Sequence, residues 1–322
     1  MDRIEVITDF WRAQYLETYI AEGGSKIKFL MGGDVPERSS ALEKFLRDAE
    51  AEGYKTAYIS AKKTWLHDFK DIYVSVFNAV GFENCLKTCA DRIVEELGYE
   101  PSMIPEEMDF ASFLQSRSAF DPLTKREIRE RLSAIFFNNT WIDNNFAISA
   151  ALITGGILGY PTIEPAAKSL LLAWHRGEKE ARVSVLRKLG LSPSRISKNN
   201  ARHMLRSLME IIRISGYKGL AVAIDNLEML SSASVLEEIR YTKMRREDAY
   251  ESIRELIDGI DTLSHFMLVF AFGNELIEDE LCGFKSYQAL WMRIQNEIES
   301  DTLNRFADII DFDKVDQEVV LK

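Results

Sequence analysis

Three apolar runs, IKFLM (27–31), GLAVAID (219–225) and HFMLVFAFG (265–273), constrain this chain more than any other feature. Runs with so few side chains able to face water read as strands covered on both faces, the pattern of a parallel sheet. KTAYISA (55–61) and the shorter ADIIDF (307–312) read as further strands. The opening order of strand, glycine turn, helix (SALEKFLRDAEAEG, 40–53) and strand is a βαβ unit. DFWRAQYLETYIA (9–21) precedes it as a helix ended by AEGG, and a helix over 246–259 precedes the third apolar run.

Residues 66–215 read almost entirely as helix, with breaks near 100–106, 120–124, 160–164 and 190–197. The expectation is a single α/β domain over 1–322. Its sheet core comes from about 1–65 and 216–322, and its large helical insertion from about 66–215. With 322 residues, 46% of them hydrophobic, the chain can bury a core of that size.

Other patterns narrow the function. A formal charge of −11 argues against a globally basic nucleic-acid binder. Cys85, Cys89 and Cys282 make no disulfide framework, and the first two lack a neighbouring histidine for zinc. His67, His175, His203 and His265 form no nucleophile–base constellation by spacing, and His67 is expected to pack beside the second strand. FAISAALITGGILGY (146–160) is too short for a bilayer span and reads as a buried hairpin of helices. Charges interrupt the first twenty residues, so no signal peptide is read, and a cytoplasmic protein without membrane contact is expected.

The stretch IKFLMGGDVPERSSAL (27–42) has the spacing of G-x-x-x-x-G-K-[ST], with a strand before it and a helix after. Gly32 is its first glycine, Gly33 follows, and Ser39 stands at the magnesium-binding hydroxyl. Three positions differ from a working phosphate loop. Pro36 removes an N–H donor. Glu37 replaces a glycine with a carboxylate; at about 4 Å and an effective dielectric of about 20, two like charges repel by roughly 4 kcal/mol. Arg38 keeps a positive charge without the compact ammonium of lysine. With a lost charge-assisted hydrogen bond, roughly 1.5–3 kcal/mol, these changes approach the whole of a micromolar site, worth about 8 kcal/mol. Taken alone, a two-glycine match favours an ordinary turn.

Two further elements belong with the loop. In GLAVAIDNLEML, Asp225 stands where an acidic residue assists magnesium, and Asn226 stands where a catalytic acid would follow, but an amide cannot take a proton from water. Glu228, two residues on, is expected to point elsewhere. In HFMLVFAFGNELIED, Asn274 or Glu275 falls where a polar residue would read a γ-phosphate, although a plain turn role suits Asn274 as well.

Residues 174–206 carry nine Lys/Arg and two acids, a balance of +7 that leaves −18 for the rest of the chain. Arg182, Arg187, Lys188, Arg195, Lys198, Arg202 and Arg206 are the candidate contact face, for an acidic partner or for a phosphate backbone. A solvated surface is the plain alternative, and Trp174 is the one aromatic in the segment suited to stacking on a single strand. KMRRED (243–248) is a second basic cluster, and Arg293, in ALWMRIQNE, is read as a salt-bridging residue or a trans-acting arginine.

Taken together, these segments resemble the P-loop ATP-binding proteins of BREX-type phage-defence systems, a branch of the AAA+ ATPases akin to origin-recognition proteins. The likeness runs through YIAEGGSKIKFLMG, WLHDFKDIYVSVFNAV, LLLAWHRGEKEARVSVLRKLGL, NARHMLRSLMEIIRISGYKGLAVAIDNLE and FAFGNELIEDELCGFKSYQALWMRI. It implies a P-loop NTPase, AAA+-like core with a vestigial nucleotide site at Gly32, Gly33, Arg38, Ser39, Asp225, Asn226 and Asn274. Against the family pattern, Glu37-Arg38 replaces glycine-lysine, Asp225-Asn226 replaces Asp-Glu, and a strand-end Gly-Thr near Phe272-Gly273 is absent. Little chain remains after DTLNRFADIIDFDKVDQEVVLK for the helical lid of such proteins.

The resemblance with these departures implies a pseudo-ATPase without catalytic residues, serving as a scaffold or regulatory subunit of an antiphage-defence complex. Its expected partner is an intact ATPase relative or a helicase-type effector. No cofactor or metal is expected; ATP or ADP with magnesium on Ser39 and Asp225 belongs to the alternative of a weak ATPase. A DNA-binding module using the 174–206 face is the second alternative.

Overall fold

The computed structural model describes residues 2–231, 240–298 and 304–315. The chain divides into two compact units, one of residues 1–80 with 218–322, the other of residues 81–217.

The first unit is built on five strands: β1 (Ser25–Met31), β2 (Lys55–Ser60), β3 (Leu220–Asp225), β4 (Phe266–Phe272) and β5 (Ile309–Asp311). All pair in parallel, in the order β2-β3-β4-β1-β5. Every residue of β3 and β4 is buried, as their uniform apolarity requires. The α/β class with a parallel sheet and a large helical insertion is therefore the observed one. Register sets Met31 opposite Phe272 and Asp311, and Ser60 opposite Asp225, so the strands' carboxyl ends share one edge.

Three helices accompany the first two strands: α1 (Arg3–Trp11), α2 (Val35–Ala51) and α3 (Phe69–Ala79). The first helix begins earlier than its sequence suggests, because the Asp2 side chain accepts from the N–H of Ile4 and caps it; a π-helical stretch, Arg12–Tyr19, extends it. Trp11, Leu16, Leu42 and Phe45 bury against Ala221, Ala223, Met267, Val269 and Ala271, the alternate residues of β3 and β4 that face this side. Fully buried Lys28 on β1 reaches the carbonyls of Phe306 (2.9 Å) and Ala307 (2.5 Å), tying the approach to β5 onto the sheet.

The second unit is helical: α4 (Phe82–Glu96), α5 (Phe110–Ser116), α6 (Pro122–Phe136), α7 (Asn144–Leu158), α8 (Pro165–His175), the single turn α9 (Val183–Leu186) and α10 (Ala201–Ile214). Asp109, Asp121 and Asp143 cap α5, α6 and α7. One expectation fails here. Residues 146–160 are not a hairpin, because α7 runs unbroken through Gly155 and Gly156. The pair serves close packing: a Cβ on Gly155 would sit 2.8 Å from Pro161 Cδ, and one on Gly156 would overlap Ile163. No helix of the described residues is long and apolar enough to cross a membrane.

After β3 the first unit continues through α11 (Lys243–Asp258), the short α12 (Glu275–Glu278) and α13 (Gln288–Ile298).

Candidate functional site: the loop at the carboxyl edge of the sheet

Parallel α/β sheets place their ligand sites outside the strands' carboxyl ends, and the altered loop lies there. After β1, Gly32 and Gly33 take positive φ of 82° and 65°. Asp34 then caps α2, accepting from the N–H of Glu37 at 2.8 Å, while the Glu37 carboxylate accepts the N–H of Asp34 at 3.3 Å. This reciprocal capping box gives Glu37, one of the three departures from a phosphate loop, a local function. Pro36 sits in the first helical turn, where its missing N–H costs nothing. Arg3 pairs with Glu37, and that bond above all holds the Glu37 carboxyl below its ordinary range.

Arg38 is buried and does not project outward. Its Nη1 donates to the carbonyls of Gly32 (3.1 Å) and Gly33 (2.7 Å), and its Nη2 to Glu228 Oε1 at 3.1 Å. Glu228 therefore turns into the site, contrary to the expectation that it points elsewhere. The cause is Asn226, whose left-handed backbone (φ 63°) leads into a 3-10 turn over Leu227–Leu230. Burial raises the Glu228 carboxyl above its usual range, with Arg38 opposing that shift. Arg38 Nε and Glu228 Oε2 have no hydrogen-bond partner among the described residues.

Asp225 is fully buried and saturated. Its Oδ2 accepts from Ser39 Oγ and from Tyr58 OH, both at 2.6 Å, and its Oδ1 accepts the N–H of Asn226 at 2.7 Å. Burial, then the bond to Asp225, raises the Tyr58 phenol above its ordinary value. Asn226 is held in turn by Ser60 Oγ at 2.9 Å.

The outer side of the loop meets the segment after β5. Asp313 Oδ1 accepts the N–H of Gly33 at 3.1 Å, and its Oδ2 accepts from Asn274 Nδ2 at 3.3 Å. Arg3 Nη1 stands 3.9 Å from Asp313, and its guanidinium lies 4.4 Å from the Phe312 ring centroid. A Cβ on Gly33 would meet Phe312 Cδ1 at 2.6 Å, and one on Gly32 would meet Asp313 Oδ2 at 2.5 Å. Both glycines are thus fixed by φ and by the return of Phe312 and Asp313 across them.

Of the residues singled out from sequence, Gly32, Gly33, Arg38, Ser39, Asp225, Asn226 and Asn274 come together here. Arg293 does not. Its Nε and Nη2 form a two-point bond to Asp258 of α11 (2.6 and 2.8 Å), and its Nη1 donates to the carbonyl of Ala289. The basic stretch lies wholly in the helical unit, with Arg182, Arg187, Lys188 and Arg195 exposed and Lys198, Arg202 and Arg206 half-buried. Trp174, the expected stacking platform, is buried, its Nε1 donating to the carbonyl of Ser194 at 3.0 Å. Cys85 and Cys89 are buried in α4, and no group of residues able to hold a metal ion occurs among the described residues.

Sequence reasoning missed Arg3, Tyr58, Phe312 and Asp313. Tyr58 was within reach, since pairing KTAYIS with LAVAID sets it opposite Ala223, two residues before Asp225 and on the same face of the sheet; nothing in the spacing points to Arg3 or Asp313.

The family model described as BREX system ATP-binding protein BrxC/D matches residues 13–322. No curated protein and no solved structure matches the chain.

Proposed function

The chain belongs to the BREX system ATP-binding BrxC/D family, and on that premise we propose that it is a catalytically degenerate member, acting as a scaffold or regulatory subunit in a phage-defence complex. One observation carries this reading: the groups that would hold a phosphate and its magnesium are bonded to the chain itself. The Gly33 N–H is taken by Asp313, Arg38 by two loop carbonyls and Glu228, and Asp225 by Ser39, Tyr58 and the Asn226 N–H. As arranged, these residues do not fit a magnesium nucleotide, because the Asp313 and Glu37 carboxylates flank the loop where phosphate charge would build up. Asn226 is an amide, which cannot take a proton from water, and Glu228 Oε1 is engaged by Arg38.

The working surface on this reading is the helical unit, whose stretch 174–206 carries +7 in a chain of −11. It suits an acidic surface on an intact ATPase relative or a helicase-type effector. The test is ATP turnover by the purified full chain with magnesium, together with co-purification of an intact ATPase relative. Background turnover with a stable complex is expected, and the complex weakens on charge reversal of Arg187, Lys188 and Arg195. Sustained turnover abolished by Asp225→Ala would overturn the reading in favour of a working ATPase.

A further inference from the structure

A second polar site lies inside the helical unit. A cavity of about 440 Å³ opens among α4, α6, α10 and the turn after α6, with Arg92, Arg131 and Arg213 set against Glu96 and Glu210, and Trp141 on its wall. That volume is within the range of small-ligand sites, roughly 300–1,000 Å³.

The arginines are held in place. Arg92 and Arg131 reach Glu96 through Nε, at 3.0 and 3.4 Å. Arg213 grips buried Glu210 through Nε (2.9 Å) and Nη2 (2.6 Å), and Asn139 Nδ2 donates to the same carboxylate. Three guanidinium groups against two carboxylates leave the lining with a net positive charge.

The aromatic wall is positioned as firmly. The Asn139 side chain accepts the N–H of Trp141 at 3.0 Å, so the residue anchored on Glu210 also sets the turn that carries the indole. Trp141 remains 51% exposed, so part of its ring is open to a ligand. Arg206, a member of the basic stretch, stands 5.4 Å from its ring centroid. The tertiary fold thus brings to 174–206 the stacking surface that its own sequence lacks.

A flat apolar ring beside clustered guanidinium groups matches a ligand with a planar aromatic part and an anion attached to it. We propose that this cavity binds one nucleotide unit, the base stacked on Trp141 and the phosphate gripped by Arg92, Arg131 and Arg213. The unit comes either from a free mononucleotide or from an unpaired strand. The proposal does not depend on the degenerate-loop reading, since the two sites share no residue.

The test uses the full chain and four probes: a nucleoside monophosphate, a labelled short oligothymidylate, inorganic phosphate and a phosphotyrosine peptide. Binding is followed by tryptophan fluorescence and anisotropy. Expected is saturable binding of one of the first two, with quenching absent in Trp141→Phe and a Kd at least about tenfold weaker in Trp141→Ala and Arg131→Ala. Trp141→Phe keeps a ring and holds Kd within about threefold, which separates stacking from misfolding. Tight monophosphate binding assigns a free nucleotide; oligothymidylate binding alone assigns an unpaired strand. Three results would overturn the proposal: no binding of either probe, binding unchanged in both variants, or binding lost in Asp225→Ala but not in Trp141→Ala. Preference for a phosphotyrosine peptide over both nucleotide probes would overturn it too.

Discussion

Arg38 and Glu228 are 190 positions apart in the chain and 3.1 Å apart in the fold, a buried ion pair joining the first turn of α2 to the turn after β3. In a phosphate loop the cation at this position faces the ligand. Here it bonds to the loop's own carbonyls and to an internal acid, so the loop is rigid without a nucleotide.

The pair makes a first prediction. Glu228→Ala leaves a buried guanidinium without its counter-ion and should cost about 3 kcal/mol or more in urea unfolding. Arg38→Met should cost less, since burial already favours the protonated Glu228. The double change to methionine should recover most of the loss. Strict additivity in this double-mutant cycle would show that the two side chains are not coupled.

Asp313 makes a second. Its carboxylate holds the Gly33 N–H that an anion would use. Asp313→Ala removes the blocking acceptor and its charge, so the affinity for magnesium ADP should rise at least about tenfold over the unaltered chain by titration calorimetry. An unchanged heat signal would mean that some other group excludes the nucleotide.

The glycine pair in α7 reverses an ordinary expectation. In an exposed helix, alanine is better than glycine by about 1 kcal/mol. At Gly155 and Gly156 the added carbon meets Pro161 and Ile163, so each alanine variant should lose about 1–3 kcal/mol by overpacking. A rise in midpoint for either would refute the close-packing account.

His175 supplies a pH dependence. Fully buried among Phe82, Phe146 and Trp174 and bonded to Ser149 Oγ at 2.9 Å, it has its pKa pushed from 6.5 down to about 3, chiefly by burial. Between those values the unfolded chain binds the proton and the folded chain does not. Stability from this group is complete above pH 6.5 and drains away as pH falls towards 3, with a slope approaching about 1.4 kcal/mol per unit. His175→Phe should flatten that part of the stability profile; an identical slope in the variant would assign the acid sensitivity elsewhere.

The strands were legible because burial on both faces leaves an unmistakable apolar run, as in LAVAID and FMLVFAF. The loop was legible from Gly32 to Ser39 because its spacing is local. What closes it was not. Glu228 is aimed by a single left-handed residue, Asn226, and Asp313 arrives from 280 positions along the chain, after the strand that pairs with β1. Trp141 was invisible for the same reason, since its partners on α4, α6 and α10 are assembled only by helix packing. The Gly155-Gly156 reading failed because helix propensity says nothing about a neighbouring segment that needs the room.

The order of the strands has a consequence for how the molecule is made. Neither β1 nor β2 borders the other: β2 waits for β3, and β1 for β4 and β5. A ribosome that has released residues 1–80 has produced two edges with no neighbour to zip onto, and it must then extrude the whole of 81–217 before Leu220 emerges. The helical unit is one continuous span and is free to collapse first, while the sheet closes late and from its end. Chains interrupted before Asp313 would carry a finished helical body and an open, aggregation-prone sheet.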